Sequence, residues 1–137
     1  MKELRILLVE DNPDDLEIIR RTVDASDAPL SVEVATTGED ALALLRSASA
    51  LPGLIFLDIS LPGADGLEIL RRLKSDPLLG EIPVIMLSGS ENDDDVRTGG
   101  ELGAHSHFVK PLSAHDLSWV TTAISRYWER IDALTQT

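Results

Sequence analysis

Short apolar runs alternate along the chain with longer amphipathic segments. Nearly continuous apolar runs predict strands buried on both faces, and apolar residues every three to four positions predict helices. The predicted strands are Leu4–Val9, Leu30–Ala35, Leu54–Leu57, Val84–Leu87 and His107–Val109. The predicted helices are Pro13–Ala25, Glu39–Ala48, Gly66–Ser75, Asn92–Leu102 and Ala114 to about Leu134. This alternation predicts an α/β fold with a doubly wound five-stranded parallel sheet and five helices.

Composition narrows the possible functions. The 137 residues predict one domain over residues 1–137. No apolar run approaches the roughly 18 residues needed to span a bilayer, and no signal-peptide core is evident, so we expect a cytoplasmic protein without membrane association. The absence of cysteine excludes disulfides and thiol catalysis. A formal charge of −12 repels nucleic acid, and no basic patch compensates, so we expect no nucleic-acid partner.

Polar side chains stand where the predicted strands end. Glu10 and Asp11 follow the first strand, Asp58 the third, Ser88 the fourth and Lys110 the fifth. Ligands of open α/β sheets bind outside the carboxyl ends of the strands. If the strands are in register, these five side chains should converge on one crevice.

Several acidic and polar residues near the crevice also have an ordinary structural interpretation. Asp14 and Asp15 suit the positive end of the first helix dipole. Asp58 could introduce the Pro- and Gly-rich loop that follows it. Ser88 is a common loop residue, and Lys110 could be a solvated cation. The joint arrangement of these side chains is much rarer than its parts.

Crowded carboxylates raise one another's pKa unless a cation lies among them. Mg²⁺ prefers oxygen and is usually held by one or two carboxylates plus a phosphate oxygen, so Asp11 and Asp58 are candidate direct ligands. A carboxylate can also attack phosphorus to give an aspartyl phosphate. Mg²⁺ and Lys110 would then neutralise the transferred group, and Ser88 would hydrogen-bond to it.

Four segments carry a resemblance to a known family. They are "LLVEDNPDD", "LIFLDISLPGADGLEIL", "PVIMLSGS" and "GAHSHFVKP". With them the chain resembles the receiver domains of two-component response regulators over residues 4 to about 126. Ser88 lies thirty residues after Asp58 and Lys110 twenty-two after Ser88, which are spacings typical of the family. The resemblance implies a flavodoxin-like receiver fold.

The resemblance also implies roles for individual residues. Asp58 would accept a phosphoryl group from a phosphohistidine on a sensor histidine kinase. The residues that would organise Mg²⁺ are Glu10, Asp11, Asp58 and the carbonyl of Ser60. In such domains Lys110 pairs with the phosphoryl oxygens, Ser88 moves to bond one of them, and the Lys110–Pro111 peptide is cis.

This chain departs from the family at two places. Three residues before Lys110 the family usually carries Tyr or Phe, whose rotation accompanies phosphorylation, whereas this chain has His107. His107 is either an ordinary strand-end residue or a participant in switching. A metal site made with His105 lacks an evident third ligand. Gly99 and Gly100 each cost about 1 kcal/mol relative to Ala in a helix, so the fourth helix should be soft.

The final helix is longer than one sheet requires. Apolar residues recur at steps of three and four into residues 127–137, which we predict to form a C-terminal helical extension. The candidate homodimer residues are Tyr127, Trp128, Ile131 and Leu134. The extension could instead fold back on its own domain. This tail, with "EDNPDD" and "SENDDDV", resembles the stand-alone regulators paired with bacterial phytochromes, which implies a bacteriophytochrome as a candidate kinase.

Other functions predict different residues. A flavin-binding module would need a Ser-, Thr- or Gly-rich phosphate cradle after the first strand, where this chain has carboxylates. A Mg²⁺-dependent phosphatase would usually carry a second Asp at position 60, which is Ser60 here. We therefore expect a phosphoacceptor with slow self-dephosphorylation at most, and no true enzyme. Its signal would pass through the face of the fourth helix, fifth strand and fifth helix. The alternative is a receiver-like interaction protein that acts without phosphorylation.

Overall fold

Five parallel strands form one sheet with helices on both faces. The computed structural model describes residues 3–63, 65–90 and 92–135. The strands are β1 (Leu4–Val9), β2 (Leu30–Ala35), β3 (Leu54–Asp58), β4 (Val84–Ser88) and β5 (Ser106–Val109). The helices are α1 (Pro13–Asp24), α2 (Gly38–Ser47), α3 (Gly66–Ser75), α4 (Asp93–Glu101) and α5 (Ala114–Thr135). A short 3₁₀ helix, Leu79–Glu81, precedes β4.

The strand order places a crevice beside β1 and β3. The sheet runs β2-β1-β3-β4-β5, so the chain passes from β1 to one side and then returns to build the other. Val9 pairs with Leu57, Asp58 with Leu87 and Ser88 with Val109 across successive strands. The carboxyl ends of β1, β3, β4 and β5 therefore lie side by side. The predicted doubly wound fold is confirmed.

Successive residues of each strand pack alternately into two apolar layers, one on each face of the sheet. In β1, Leu7 and Val9 pack in the layer covered by α2 and α3. Ile6 and Leu8 pack in the opposite layer, covered by α1 and α5. Because both faces are buried, a one-residue slip of a strand would exchange its two sets of side chains, so the register is strongly determined.

Side-chain caps explain where two of the helices begin. Asn12 accepts hydrogen bonds from the backbone N–H groups of Asp14 and Asp15 at 2.9 and 3.1 Å, so α1 starts at Pro13. Thr37 caps α2 at the N–H of Asp40, and the helix begins one residue earlier than predicted. Each capping oxygen satisfies N–H groups that have no partner inside the helix.

Two predicted strands extend one residue further than their apolar runs. β3 includes Asp58 and β4 includes Ser88, because the backbone ladder continues through both polar residues. Both side chains therefore belong to residues of the sheet. The remaining element boundaries differ from the prediction by no more than a residue or two.

Trp128, near the end of α5, packs against the body of its own domain. The indole Nε1 of Trp128 donates to the carbonyl of Gly53 at 2.8 Å, and its ring packs against the apolar layer beneath α5. Tyr127 and Leu134 are exposed, whereas Ile131 is half-buried. The four candidate interface residues are thus not equivalent. Residues 136 and 137 of the predicted extension lie outside the described residues.

No helix within the described ranges combines the length and apolar character that crossing a bilayer requires.

Candidate functional site

Asp58 lies at the centre of the crevice and is almost wholly buried. Its Oδ1 accepts a hydrogen bond from the N–H of Ser60 at 3.1 Å. Gly66, the first residue of α3, closes the loop behind it, because its N–H donates to the carbonyl of Ile59 at 2.8 Å. A Cβ at Gly66 would lie 2.3 Å from the backbone oxygen of Asp58, so only glycine fits without moving the backbone there.

Two more carboxylates come from the end of β1. Glu10 is fully buried, and its Oε2 accepts from the N–H groups of Asp11 and Asn12 at 3.1 and 3.3 Å. Asp11 is exposed at the mouth of the crevice. One carboxylate oxygen from each of Glu10, Asp11 and Asp58 lies within 4.8 Å of the others. A group of oxygen atoms this close suits a hard divalent cation.

A single ammonium group contacts three carboxylates at this edge. Lys110 Nζ lies 2.7 Å from Asp15 Oδ2, 2.9 Å from Glu10 Oε1 and 3.5 Å from Asp58 Oδ2. The Lys110–Pro111 peptide bond is cis. Asp11 adds a fourth carboxylate beside Glu10 and Asp58, so the cluster carries an excess of negative charge.

Among these carboxyl groups, Glu10 has a strongly raised pKa. Burial and the neighbouring Asp58 raise the pKa of Glu10 from 4.5 to about 7, although hydrogen bonding to Lys110 opposes the change. Burial acts to lower the pKa of Lys110, but hydrogen bonds to Asp15 and Glu10 outweigh it and raise that pKa. The ammonium is therefore firmly charged, while the most buried carboxyl group is only partly ionised near neutral pH.

Ser88 is buried at the same edge of the sheet, but its hydroxyl hydrogen-bonds to residues other than the carboxylates and Lys110. Its Oγ lies 2.8 Å from the carbonyl oxygen of Ser90 and 2.7 Å from His107 Nε2. His107 therefore contacts the predicted switch serine. His105, the other histidine of the considered metal pair, is exposed and hydrogen-bonds to Ser106 at 3.0 Å.

Asp15 is a site residue that sequence reasoning missed. Its position in the sequence, like that of Asp14, indicates only a favourable charge at the start of α1. The structure keeps Asp14 exposed and directs Asp15 to Lys110. The available signal was its position: Asp15 lies in the first turn of a helix that begins directly after a strand end rich in carboxylates.

A comparison with known protein families shows which family the chain belongs to. Residues 6–121 match the profile of the response regulator receiver domain. The chain belongs to the response regulator receiver family. Phosphorylation on an aspartate is the standard function of such receiver domains.

Proteins from Methanothrix harundinacea and Synechocystis sp. are among those similar to this chain. The chain is 36% identical over 127 residues to the probable methanogenesis regulatory protein FilR2 of Methanothrix harundinacea, with 90% of this chain and 82% of that protein covered. It is 34% identical over 128 residues to response regulator Rcp1 of Synechocystis sp., covering 90% and 87%. Rcp1 has a solved Mn²⁺-bound form that is 33% identical over 90% of this chain and 93% of that one, with a TM-score of 0.73.

A phosphorylated relative is also known structurally. The phosphorylated cyanobacterial phytochrome response regulator RcpA shares 35% sequence identity and a TM-score of 0.77, covering 93% of this chain and 94% of that one. The resemblance of this receiver domain to phytochrome-associated response regulators is therefore confirmed.

The contact between Asp15 and Lys110 should contribute to stability. Asp15→Asn removes a charge-assisted hydrogen bond, so we expect the free energy of unfolding to fall by about 1 to 2 kcal/mol. Asp14→Asn is the matched control, because it loses the same helix-dipole charge without touching Lys110. Denaturant unfolding measures the loss. Equal losses in the two variants would contradict the role of this contact.

The raised pKa of Glu10 predicts a pH dependence of stability in the metal-free receiver. Between its unfolded value of 4.5 and its folded value of about 7, the native chain keeps a proton that the unfolded chain releases. The stabilisation is therefore complete below pH 4.5 and is lost as pH rises through 7, with a slope of at most about 1.4 kcal/mol per pH unit.

Glu10→Gln should remove this contribution, which urea unfolding with a chelator from pH 4.5 to 8 would measure. Glu33→Gln, an exposed change on β2, is the control and should keep the wild-type profile. Parallel profiles for wild type and Glu10→Gln would contradict the assignment.

Proposed function

We propose that Asp58 accepts a phosphoryl group from a phosphohistidine on a sensor histidine kinase. The observation that carries this proposal is a buried carboxylate beside one ammonium and two further carboxylates at the switch point of the sheet. An oxygen of Asp58 would attack phosphorus, the P–N bond to the kinase imidazole would break, and the imidazole would leave and take up a proton. The product on this chain is an aspartyl phosphate.

The same cluster supports Mg²⁺ as the resident cofactor. The residues that would hold it are Glu10, Asp11, Asp58 and the carbonyl of Ser60. This set of donors fits Mg²⁺, because all of them are oxygen atoms and their negative charge is larger than the positive charge of Lys110. The Mn²⁺-bound form of Rcp1 supports a divalent cation in a related chain. When bound, the ion supplies positive charge to the carboxylates and to the phosphoryl oxygens.

Lys110 and Ser88 would bind the phosphoryl group after transfer. Lys110 Nζ already lies 3.5 Å from Asp58 Oδ2, so an oxygen added there falls within reach of the ammonium. Ser88 lies next to Leu87, the residue paired with Asp58 across the sheet. Its hydroxyl would turn from its present partners to a phosphoryl oxygen, and His107, which contacts it, would take part in the switch.

The signal would leave through the surface formed by α4, β5 and α5. That surface adjoins Ser88 through His107 on β5, and α4 contains Gly99 and Gly100, which are expected to soften it. Residues 1–137 would act as one receiver domain, with 127–137 as its helical extension. It would be a phosphoacceptor that dephosphorylates itself slowly and does not turn over a substrate.

Partners follow from the relatives and from the exposed end of α5. RcpA is a phytochrome response regulator, so a bacteriophytochrome is the proposed kinase type for this chain. Tyr127 is 41% exposed and Leu134 68%, next to the half-buried Trp128 and Ile131. Exposed apolar residues at helical spacing favour a contact surface, and a two-fold homodimer is the commonest way to cover one.

Phosphorylation of the purified chain tests the acceptor assignment. With acetyl phosphate and Mg²⁺, wild type should gain one base-labile phosphoryl group, and Asp58→Asn or a chelator should abolish the gain. Asp40→Asn, an exposed change on α2, should behave as wild type. Intact-protein mass spectrometry gives the count. An Asp58→Asn chain labelled at the wild-type rate would overturn the proposal in favour of an interaction protein that acts without phosphate.

Sedimentation tests the homodimer. Tyr127→Ala with Leu134→Ala should weaken self-association at least about tenfold, because large exposed apolar groups are typical binding anchors. Ile18→Ala on α1 is the control, with the same 41% exposure as Tyr127. Trp128 is left intact because it packs on its own domain. A wild-type chain that is monomeric at micromolar concentration, with and without phosphorylation, would rule out the homodimer.

A further inference from the structure

The hydroxyl of Ser88 has two partners and only one proton. Its Oγ lies 2.8 Å from the carbonyl oxygen of Ser90 and 2.7 Å from Nε2 of His107. A carbonyl oxygen can only accept, so the hydroxyl proton must point to Ser90. The second hydrogen bond therefore needs a proton on Nε2, and His107 is the donor to Ser88.

The other ring nitrogen supports the same tautomer. Nδ1 of His107 is buried and has no hydrogen-bond partner within the described part of the chain. If the proton were on Nδ1, the ring would bury an unpaired N–H, and the single hydroxyl proton of Ser88 could serve only one of two acceptors, Nε2 and the carbonyl of Ser90. The Nε2–H form leaves only a lone pair without a partner, so the hydrogen-bond network assigns this form.

The contact holds the Ser88 hydroxyl in its resting direction. Asp58 pairs with Leu87, so Ser88 is adjacent to the proposed acceptor, but both of its hydrogen bonds go to Ser90 and His107. Turning the hydroxyl to a phosphoryl oxygen breaks both bonds. It also leaves the Nε2–H of His107, which is partly buried, without an acceptor unless the imidazole moves as well.

We propose that His107 is a positioning residue that restrains Ser88 through its Nε2–H and so opposes formation of the phosphorylated state. This inference rests on the proposed function of Asp58 and deepens it. The restraint requires a hydrogen-bond donor on this residue of β5. A phenylalanine ring could pack in the same place but would not hold the hydroxyl.

Beryllofluoride, which mimics a phosphoryl group on an aspartate, provides the test on the full chain with Mg²⁺. The concentration that half-saturates the chain, followed by ¹⁹F NMR, should fall about tenfold in His107→Phe, which corresponds to the loss of roughly one hydrogen bond. His107→Gln retains an Nε2–H donor at a similar reach and should stay near the wild-type value. His105→Gln is the matched control at an exposed neighbouring histidine and should not change it.

The ¹⁵N spectrum of the His107 ring gives a readout that packing alone would not move. The unmodified wild type should show the Nε2–H tautomer, and the ring signals should shift when beryllofluoride binds. Unchanged ring signals on binding, an Nδ1–H tautomer, or equal half-saturation of wild type and a folded His107→Phe would overturn the inference while leaving Asp58 as acceptor. A wild-type chain that binds no beryllofluoride would overturn the proposed function itself.

Discussion

The excess of carboxylate over ammonium at the strand ends is the constraint on which the rest of the site depends. Three carboxylates contact Lys110, and a fourth lies within 4.8 Å of two of them. Burial, together with the neighbouring Asp58, raises the pKa of Glu10 to about 7. The receiver thus stores an unfavourable arrangement in its resting state. A divalent cation bound among these oxygens would relieve that arrangement.

The sheet makes this arrangement possible because it leaves these side chains little freedom. β3 and β4 carry their ladders through Asp58 and Ser88, and both faces of the sheet are packed, so neither strand can slip. The close approach of Gly66 to the Asp58 backbone fixes the loop behind this carboxylate. Repulsion between the carboxylates would open a flexible loop. Here the apolar layers packed on the two faces of the sheet resist it.

Local patterns predicted the elements and most of the crevice, but not the choice of hydrogen-bond partner. The strand ends of β3 and β5 were sufficient to bring Asp58 and Lys110 together, since parallel strands end at a common edge. The contact of Asp15 with Lys110 was missed, because the helix dipole alone is a sufficient reason for an acidic residue in the first turn of α1. The direction of the Ser88 hydroxyl depends on a rotamer and on His107, nineteen residues away. The hydrogen bond from Trp128 to Gly53 joins residues 75 positions apart, which no periodicity records.

That last contact also determines the direction in which the end of α5 leaves the domain. The helix starts just after Lys110, at the carboxyl edge of the sheet, and Trp128 reaches Gly53, which immediately precedes β3 at the opposite edge. The intervening fourteen residues correspond to about 21 Å, roughly the height of the sheet. The turns beyond Trp128 consequently project from the pole of the molecule remote from Asp58. A protein bound to those turns would therefore leave the approach to the crevice open.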